Sequence, residues 1–384
     1  MQKIKAAVIN GQNQAFKIEN LQITDQLNPH DVRVHIIASG ICHTDEAVRN
    51  GQGGDFPMPA VLGHEGAGIV TEVGRAVRST KPGDHVVLCY DYDGYCKNCL
   101  GGRPAACVNW NRLNMEGSRI DGSVPFQTED GVPVKMLFNQ SSFASETIVD
   151  DRNVTVIDQK IDLRKVGPLG CGFVTGSGTV FNGLKPEVGS SLTIFGTGAV
   201  GLGALMAAKI SGCSKVICVD IVEQRLELAQ DLGANYVINS KKTDPVKEIR
   251  KITNGGSNYV IDTTGVSAVM QQGFAATASG GTFAPLAVTR HEFKIEHPFA
   301  DLTSYEKDVK GVLMGEAVPQ KAIPELIEFW QQGKFPFDRL ERFYSFDQIN
   351  EANQASISGT VIKPVLILDE NYQPGDENYQ PTEV

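Results

Sequence analysis

Leu192-Thr-Ile-Phe195 runs directly into Gly196-Thr-Gly198-Ala-Val-Gly201, and the reading of this stretch decides the fold. Four apolar or β-branched residues ending at a glycine read as a buried strand, and the small apolar residues that continue to Ile210 read as a helix. The G-x-G-x-x-G spacing suits a strand-to-helix turn whose backbone comes close to a pyrophosphate and whose helix N-terminus faces it. In a chain with 40 Gly the pattern alone is weak. Asp220 strengthens it, because it ends the next apolar strand at the spacing needed to reach a ribose 2′-hydroxyl, and a carboxylate there would repel a 2′-phosphate. Gly196, Gly198, Gly201 and Asp220 are therefore candidate cofactor-binding residues, with NAD favoured over NADP. The uncharged run 188–208 is long enough to resemble a membrane span, but its five glycines argue for a strand turning into a helix.

Outward from this stretch the alternation continues. Strand Lys215–Val219, a helix through Leu232 and strand Tyr236–Ile238 are the pattern of a parallel sheet with right-handed crossovers. Toward the N-terminus the character changes to β: Val32, Val34, Ile36 and Ala38 alternate onto one face, followed by short runs at Ile69–Val73 and His85–Leu88. Toward the C-terminus come a helical stretch, Lys321–Gln332, and a last β run, Val361–Leu368. Beyond it Asp369-Glu-Asn-Tyr-Gln-Pro374 is repeated as Asp376-Glu-Asn-Tyr-Gln-Pro381 in a tail with five acids and no Lys or Arg. This tail, 369–384, reads as a disordered, solvated extension, the alternative being a partner-docking peptide.

With 384 residues the chain has room for two or three domains. Its 35 basic and 45 acidic side chains give a net charge of −10, which disfavours nucleic acid and anionic membranes as partners. The start, MQKIKAAVINGQNQ, carries no secretory signal, so a cytoplasmic location is expected. There the eight cysteines stay reduced, and serve as metal ligands or packing rather than as disulfides.

Cys42, His64 and Cys171 each stand beside glycines, and two thiolates plus an imidazole suit a zinc ion with one position left open. For each residue alone a place in the core is the plainer reading. A second set, Asp93, Cys96, Cys99 and Cys107, combines a C-x2-C pair with a third thiol and a carboxylate, which points either to a structural zinc or to a loop of free thiols.

In order and separation these motifs make the chain similar to the zinc-dependent medium-chain alcohol dehydrogenases over 1–368. Within them it most resembles the benzyl or aryl alcohol dehydrogenases, through Ser141-Ser-Phe-Ala144, Gly167-Pro-Leu-Gly-Cys-Gly172 and Lys334-Phe-Pro-Phe-Asp338. The resemblance implies an α/β fold: a Rossmann domain with a doubly wound parallel sheet (173–313), inserted into a β-rich GroES-like catalytic domain (1–172 and 314–368). It implies reversible oxidation of a primary aromatic or allylic alcohol to its aldehyde with NAD, assembly as a homotetramer or homodimer, and a small-molecule substrate as partner. A glutathione-dependent formaldehyde dehydrogenase and a non-enzymatic NADH-binding redox sensor are the rival readings.

Residue by residue, the resemblance gives the catalytic zinc to Cys42, His64 and Cys171, the task of fixing the His64 tautomer to the Asp45 carboxylate, and transient approach to the metal to Glu65. Thr44 would take the alcohol proton. The family's histidine three positions later is replaced by Ala47. Thr175 and Val200 would meet the nicotinamide, Arg225 the adenosine and Lys363 the pyrophosphate, ordinary surface charge being the alternative for both cations. His43 stands where a basic pyrophosphate contact is common, and as a largely neutral imidazole it implies weaker coenzyme binding. Cys89, Leu137, Phe138 and Leu313 would line an apolar substrate slot.

Overall fold

The protein is seen as a computed structural model that describes residues 1–289, 291–376, 379 and 381. It divides into two compact units. One comprises Met1–Cys171, Val318–Ile327 and the chain from Phe337 onward; the other comprises Gly172–Ala317 and Glu328–Pro336. The expected inserted domain therefore has a second piece, 328–336. The reason is aromatic: Phe329 packs against Phe181 and Phe335 against Phe173, all within that unit, with ring centroids 5.9 and 6.3 Å apart.

The second unit is built on a six-stranded parallel sheet in the order Tyr236–Asn239, Lys215–Asp220, Ser191–Phe195, Ser257–Asp262, Thr277–Pro285, Asp308–Val309. In order of appearance this is 3-2-1-4-5-6, a doubly wound sheet that reverses direction at Ser191–Phe195. All five residues of that strand are buried, Ser191 and Thr193 included, as a strand covered by helices on both faces requires. The run 188–208 contains this strand and most of the helix Ala199–Ile210. No helix among the described residues is long and apolar enough to cross a membrane.

The first unit has a closed barrel of five short strands, Gln2–Ile9, Lys17–Ile23, Phe126–Gln127, Pro133–Met136 and Ala60–Val61. Beside it lies a seven-stranded sheet centred on Asp31–Gly40, which pairs with Gly66–Val73, Glu146–Asp150 and Lys363–Ile367.

In Asp31–Gly40 the alternation predicts one buried and one wet face, yet all ten residues are buried. The polar face is covered in two ways. The Arg33 guanidinium reaches Glu146 Oε2 at 3.5 Å and Thr24 O at 2.6 Å, and His35 Nε2 lies 2.8 Å from Asp369 Oδ2. Asp369 begins the repeat-bearing tail, so the solvated reading of that tail is corrected at its buried residues Asp369 and Tyr372, while 370, 371 and 373–376 are exposed. Tyr372 is buried, its ring meets Tyr379 edge-on at 5.4 Å, and the Tyr379 hydroxyl donates to Asp369. An acidic composition hid the buried ring of Tyr372 and two oxygens, of Asp369 and Tyr379, that lie 2.8 and 3.4 Å from Nε2 of the buried His35. Residues 377, 378, 380 and 382–384 lie outside the described residues.

Candidate active site

Asp45 organises the first cluster. Its Oδ2 accepts the N–H of Cys42 at 3.0 Å, and its Oδ1 accepts the N–H of Gly63 and the Nδ1 proton of His64, each at 3.0 Å. One fully buried carboxylate thus ties the turn at Cys42, which opens the short helix His43–Arg49, to the turn at Gly63, whose φ of +92° puts it in left-handed territory. With Nδ1 committed as a donor, the neutral His64 ring presents an unprotonated Nε2, and that atom is buried without a hydrogen-bond partner. Cys171 enters from the other end of the unit, its Sγ 3.9 Å from that of Cys42. A tetrahedral zinc with Zn–S bonds of about 2.3 Å needs a sulfur-to-sulfur edge of about 3.8 Å. The thiols are free, and ligand atoms of Cys42, His64, Cys171 and Glu65 all lie within 4.8 Å of one another. An orphaned imidazole nitrogen beside two close thiols fits a zinc ion.

The electrostatics point the same way. A hydrogen bond from Cys171 holds the Cys42 thiol well below its ordinary value against the effect of burial, and the reciprocal effect pushes Cys171 up. Burial opposes charge on His64, but Asp45 outweighs it and raises the imidazole well above its usual value. Burial pushes the Glu65 carboxyl up to about 7 while Lys363 pulls the other way. Protons on these groups are what a cation would displace.

Phe138 stacks on His64 with centroids 4.6 Å apart and planes at 28°, and Trp110 meets Phe138 edge-on at 5.6 Å. Leu137 and Cys89 are fully buried, the Cys89 thiol donating to Gly170 O at 2.9 Å while burial pushes it up to about 12. Of the four pocket positions, Cys89, Leu137 and Phe138 share this unit, and Leu313 belongs to the other, where it is exposed. Trp110 went unread because nothing in sequence spacing links it to His64. Thr44 has its hydroxyl 3.8 Å from Cys42 Sγ, exposed His43 precedes it, and Ala47 is buried on the same helix.

Lys363 departs most from expectation. Its ammonium is 2% exposed and lies 2.8 Å from both oxygens of Glu65 and 3.3 Å from Ile41 O. Three donors meet three acceptors, so none is left for a pyrophosphate.

The second cluster is a single loop. Asp93 Oδ1 accepts the N–H groups of Tyr95 and Cys96 at 3.0 and 2.8 Å, its Oδ2 accepts from Asn109 at 2.9 Å, and its own N–H donates to Cys107 Sγ at 3.3 Å. Burial opposes its ionisation, but these donors hold the carboxyl below the usual carboxylate range. Cys96 and Cys99 have sulfurs 3.5 Å apart, and ligand atoms of all four residues fall within 4.8 Å of one another. Three of the carboxylate's four acceptor positions are taken and Oδ2 keeps one free for a metal, so this set also fits a zinc ion.

In the second unit Gly196 has φ +90°, and a Cβ on Gly201 would come 1.9 Å from Gly196 O, so neither position tolerates a side chain. A Cβ on Gly198 would meet nothing within 4 Å: the turn faces open space at the N-terminus of Ala199–Ile210, as a pyrophosphate site requires. Asp220 has a task that spacing did not reveal. Its Oδ2 accepts both the N–H and the hydroxyl of Thr197 at 2.7 Å, and its Oδ1 accepts from Ile221 and Val222. It braces the glycine turn from below. Thr175 and Val200 are partly buried on the helices Gly172–Gly178 and Ala199–Ile210, with the Thr175 hydroxyl 3.8 Å from Met314 Sδ, and Arg225 lies on Glu223–Asp231.

Comparison with known proteins agrees with both halves of this picture. Residues 28–158 match the alcohol dehydrogenase GroES-like domain and residues 199–332 the zinc-binding dehydrogenase domain. Geraniol dehydrogenase of Castellaniella defragrans is 39% identical over 369 residues, covering 95% of this chain and 97% of its own. The chain belongs to the zinc-dependent medium-chain alcohol dehydrogenases. Among solved structures, this alcohol dehydrogenase is similar to benzyl alcohol dehydrogenase of Acinetobacter calcoaceticus, with a TM-score of 0.90, 41% identity and coverage of 96% and 100% of the two chains. An alcohol dehydrogenase zinc-binding domain protein of Burkholderia ambifaria gives a TM-score of 0.92 and 42% identity, with the same coverage.

Proposed function

We propose that this alcohol dehydrogenase reversibly oxidises primary aromatic or allylic alcohols to aldehydes with NAD, at a zinc ion held by Cys42, His64 and Cys171. The observation that carries the reading is the buried, unpartnered Nε2 of His64, set beside two thiols 3.9 Å apart and under the ring of Phe138. When bound, the zinc supplies Lewis acidity that favours loss of the alcohol proton near neutral pH. Asp45 keeps His64 in the tautomer that can ligate. Thr44 accepts the alcohol proton at its hydroxyl, and with Ala47 in place of a histidine the onward path runs through water. Phe138, Trp110 and Leu137 exclude water and offer flat apolar surface to an aryl or allylic group. The glycine turn and helix N-terminus hold the pyrophosphate, and the negative charge of Asp220 disfavours a 2′-phosphate.

The two similar proteins named for geraniol and benzyl alcohol support the substrate class. Assembly as a homotetramer or homodimer in the cytoplasm completes the reading, with subunit number measurable by light scattering.

The test is turnover of benzyl alcohol and an allylic terpene alcohol with NAD and with NADP, on protein assayed for zinc. Metal-dependent activity, with kcat/KM favouring NAD by more than about tenfold, is expected. Preference for NADP would overturn the cofactor, and dominance of formaldehyde plus glutathione would overturn the substrate class.

A further inference from the structure

Glu65 is chemically able to complete the cluster, because one of its carboxylate oxygens lies within 4.8 Å of a ligand atom of each of Cys42, His64 and Cys171. A fourth protein ligand would close the set and make it a structural site, with no position for an alcohol. The surroundings of Glu65 hold its carboxylate elsewhere. Lys363 Nζ grips both oxygens at 2.8 Å, and both side chains are out of water, at 0% and 2% exposure. Gly40 forms the wall of the slot, since a Cβ there would stand 2.1 Å from Glu65 Oε2 and 3.0 Å from Pro168 Cγ. Both come from adjacent strands, for Lys363–Ile367 pairs with Asp31–Gly40 and sets Val365 opposite Gly40. Charge nearly balances as well: two thiolates and the Glu65 and Asp45 carboxylates against a divalent cation and a lysine leave one net negative charge in the buried site.

We infer that Lys363 and Gly40 are positioning residues, which hold Glu65 beside the metal ligands and keep it from becoming the fourth. The inference rests on the proposed zinc reading and gives Lys363 a task other than coenzyme binding.

Cobalt substitution tests it, because cobalt(II) absorption reports the ligand set independently of turnover. Lys363→Met should retain cobalt and shift its visible bands as the freed carboxylate enters the coordination shell. Release to a chelator should slow about tenfold, and kcat should fall with the KM for NAD unchanged. Lys363→Arg should restore the parent spectrum, and so should Lys363→Met combined with Glu65→Gln, a neutral pair that covers the case in which the single variant fails to fold. A parent-like spectrum and release rate in Lys363→Met would overturn the inference, as would a changed spectrum in the double variant, which would show Glu65 to be a ligand already. Failure of the unmodified protein to take up cobalt or zinc would instead overturn the metal reading.

Discussion

Two clusters in one unit offer a metal nearly the same chemistry, and they are assembled in opposite ways. Cys42 and Cys171 stand 129 residues apart, and Asp45 joins His64 to the Cys42 turn. Asp93 and Cys107 stand 14 apart, and the stretch from Asp93 to Asn109 supplies the hydrogen bonds that fix Asp93. The first cluster is held by two sheet strands and a buried carboxylate, and presents an unsatisfied nitrogen. The second holds itself, with half of its ligands only partly buried. A site assembled from distant segments can keep one coordination position open, because the scaffold and not the metal sets its geometry. A self-contained loop depends on the ion for its shape, and there a metal contributes to folding.

The sharpest way to break this contrast is Cys42→Ser. It should cost one zinc equivalent and lower kcat by at least about a thousandfold while NADH binding survives, as read by elemental analysis, turnover and NADH fluorescence. Full activity would remove the first cluster from the chemistry. Cys99→Ser asks the same of the loop and should act on stability. Turnover at 25 °C should persist while the melting temperature falls, at about 2–4 °C for each kcal/mol lost. An unchanged melting temperature with unchanged zinc content would mark the loop as free thiols, and a loss of kcat without unfolding would erase the distinction.

The smallest effect is a control that leaves both clusters alone. Burial raises the Asp369 carboxyl, but the Tyr379 hydroxyl and His35 outweigh it and leave it below the usual value. A depressed folded value stabilises above the unfolded value of about 3.9 and is lost as pH falls through the folded value. Asp369→Asn should therefore melt below the parent at pH 7, the gap narrowing below about pH 4, with zinc content unchanged at neutral pH. A gap independent of pH would detach this carboxylate from the acid limb.

The nucleotide-binding half was legible because its signals are local: an apolar strand, a glycine turn and an aspartate at a fixed distance. Cys42, His64 and Cys171 were legible as residue types beside glycines that could bind a metal, and the expectation that they meet came from resemblance and not from spacing. Lys363 was given to the pyrophosphate by resemblance because its partner, Glu65, lies 298 residues away and no local pattern links the two. Two buried residues of the tail went unread because composition averages over residues, whereas Asp369 and Tyr372 each fill one particular buried place.

By itself the sequence determined the first three strands of the parallel sheet and the two helices between them, the glycine turn and the set of residues able to bind zinc, because each depends on neighbours a few positions away. Only the tertiary structure decided that Asp45 stitches two turns together, that Lys363 grips Glu65, that Asp220 braces its own loop through Thr197, and that the polar face of Asp31–Gly40 lies under the tail. Those partnerships join segments up to 334 residues apart, and a buried polar group takes its partner from whichever segment the fold brings within about 3 Å.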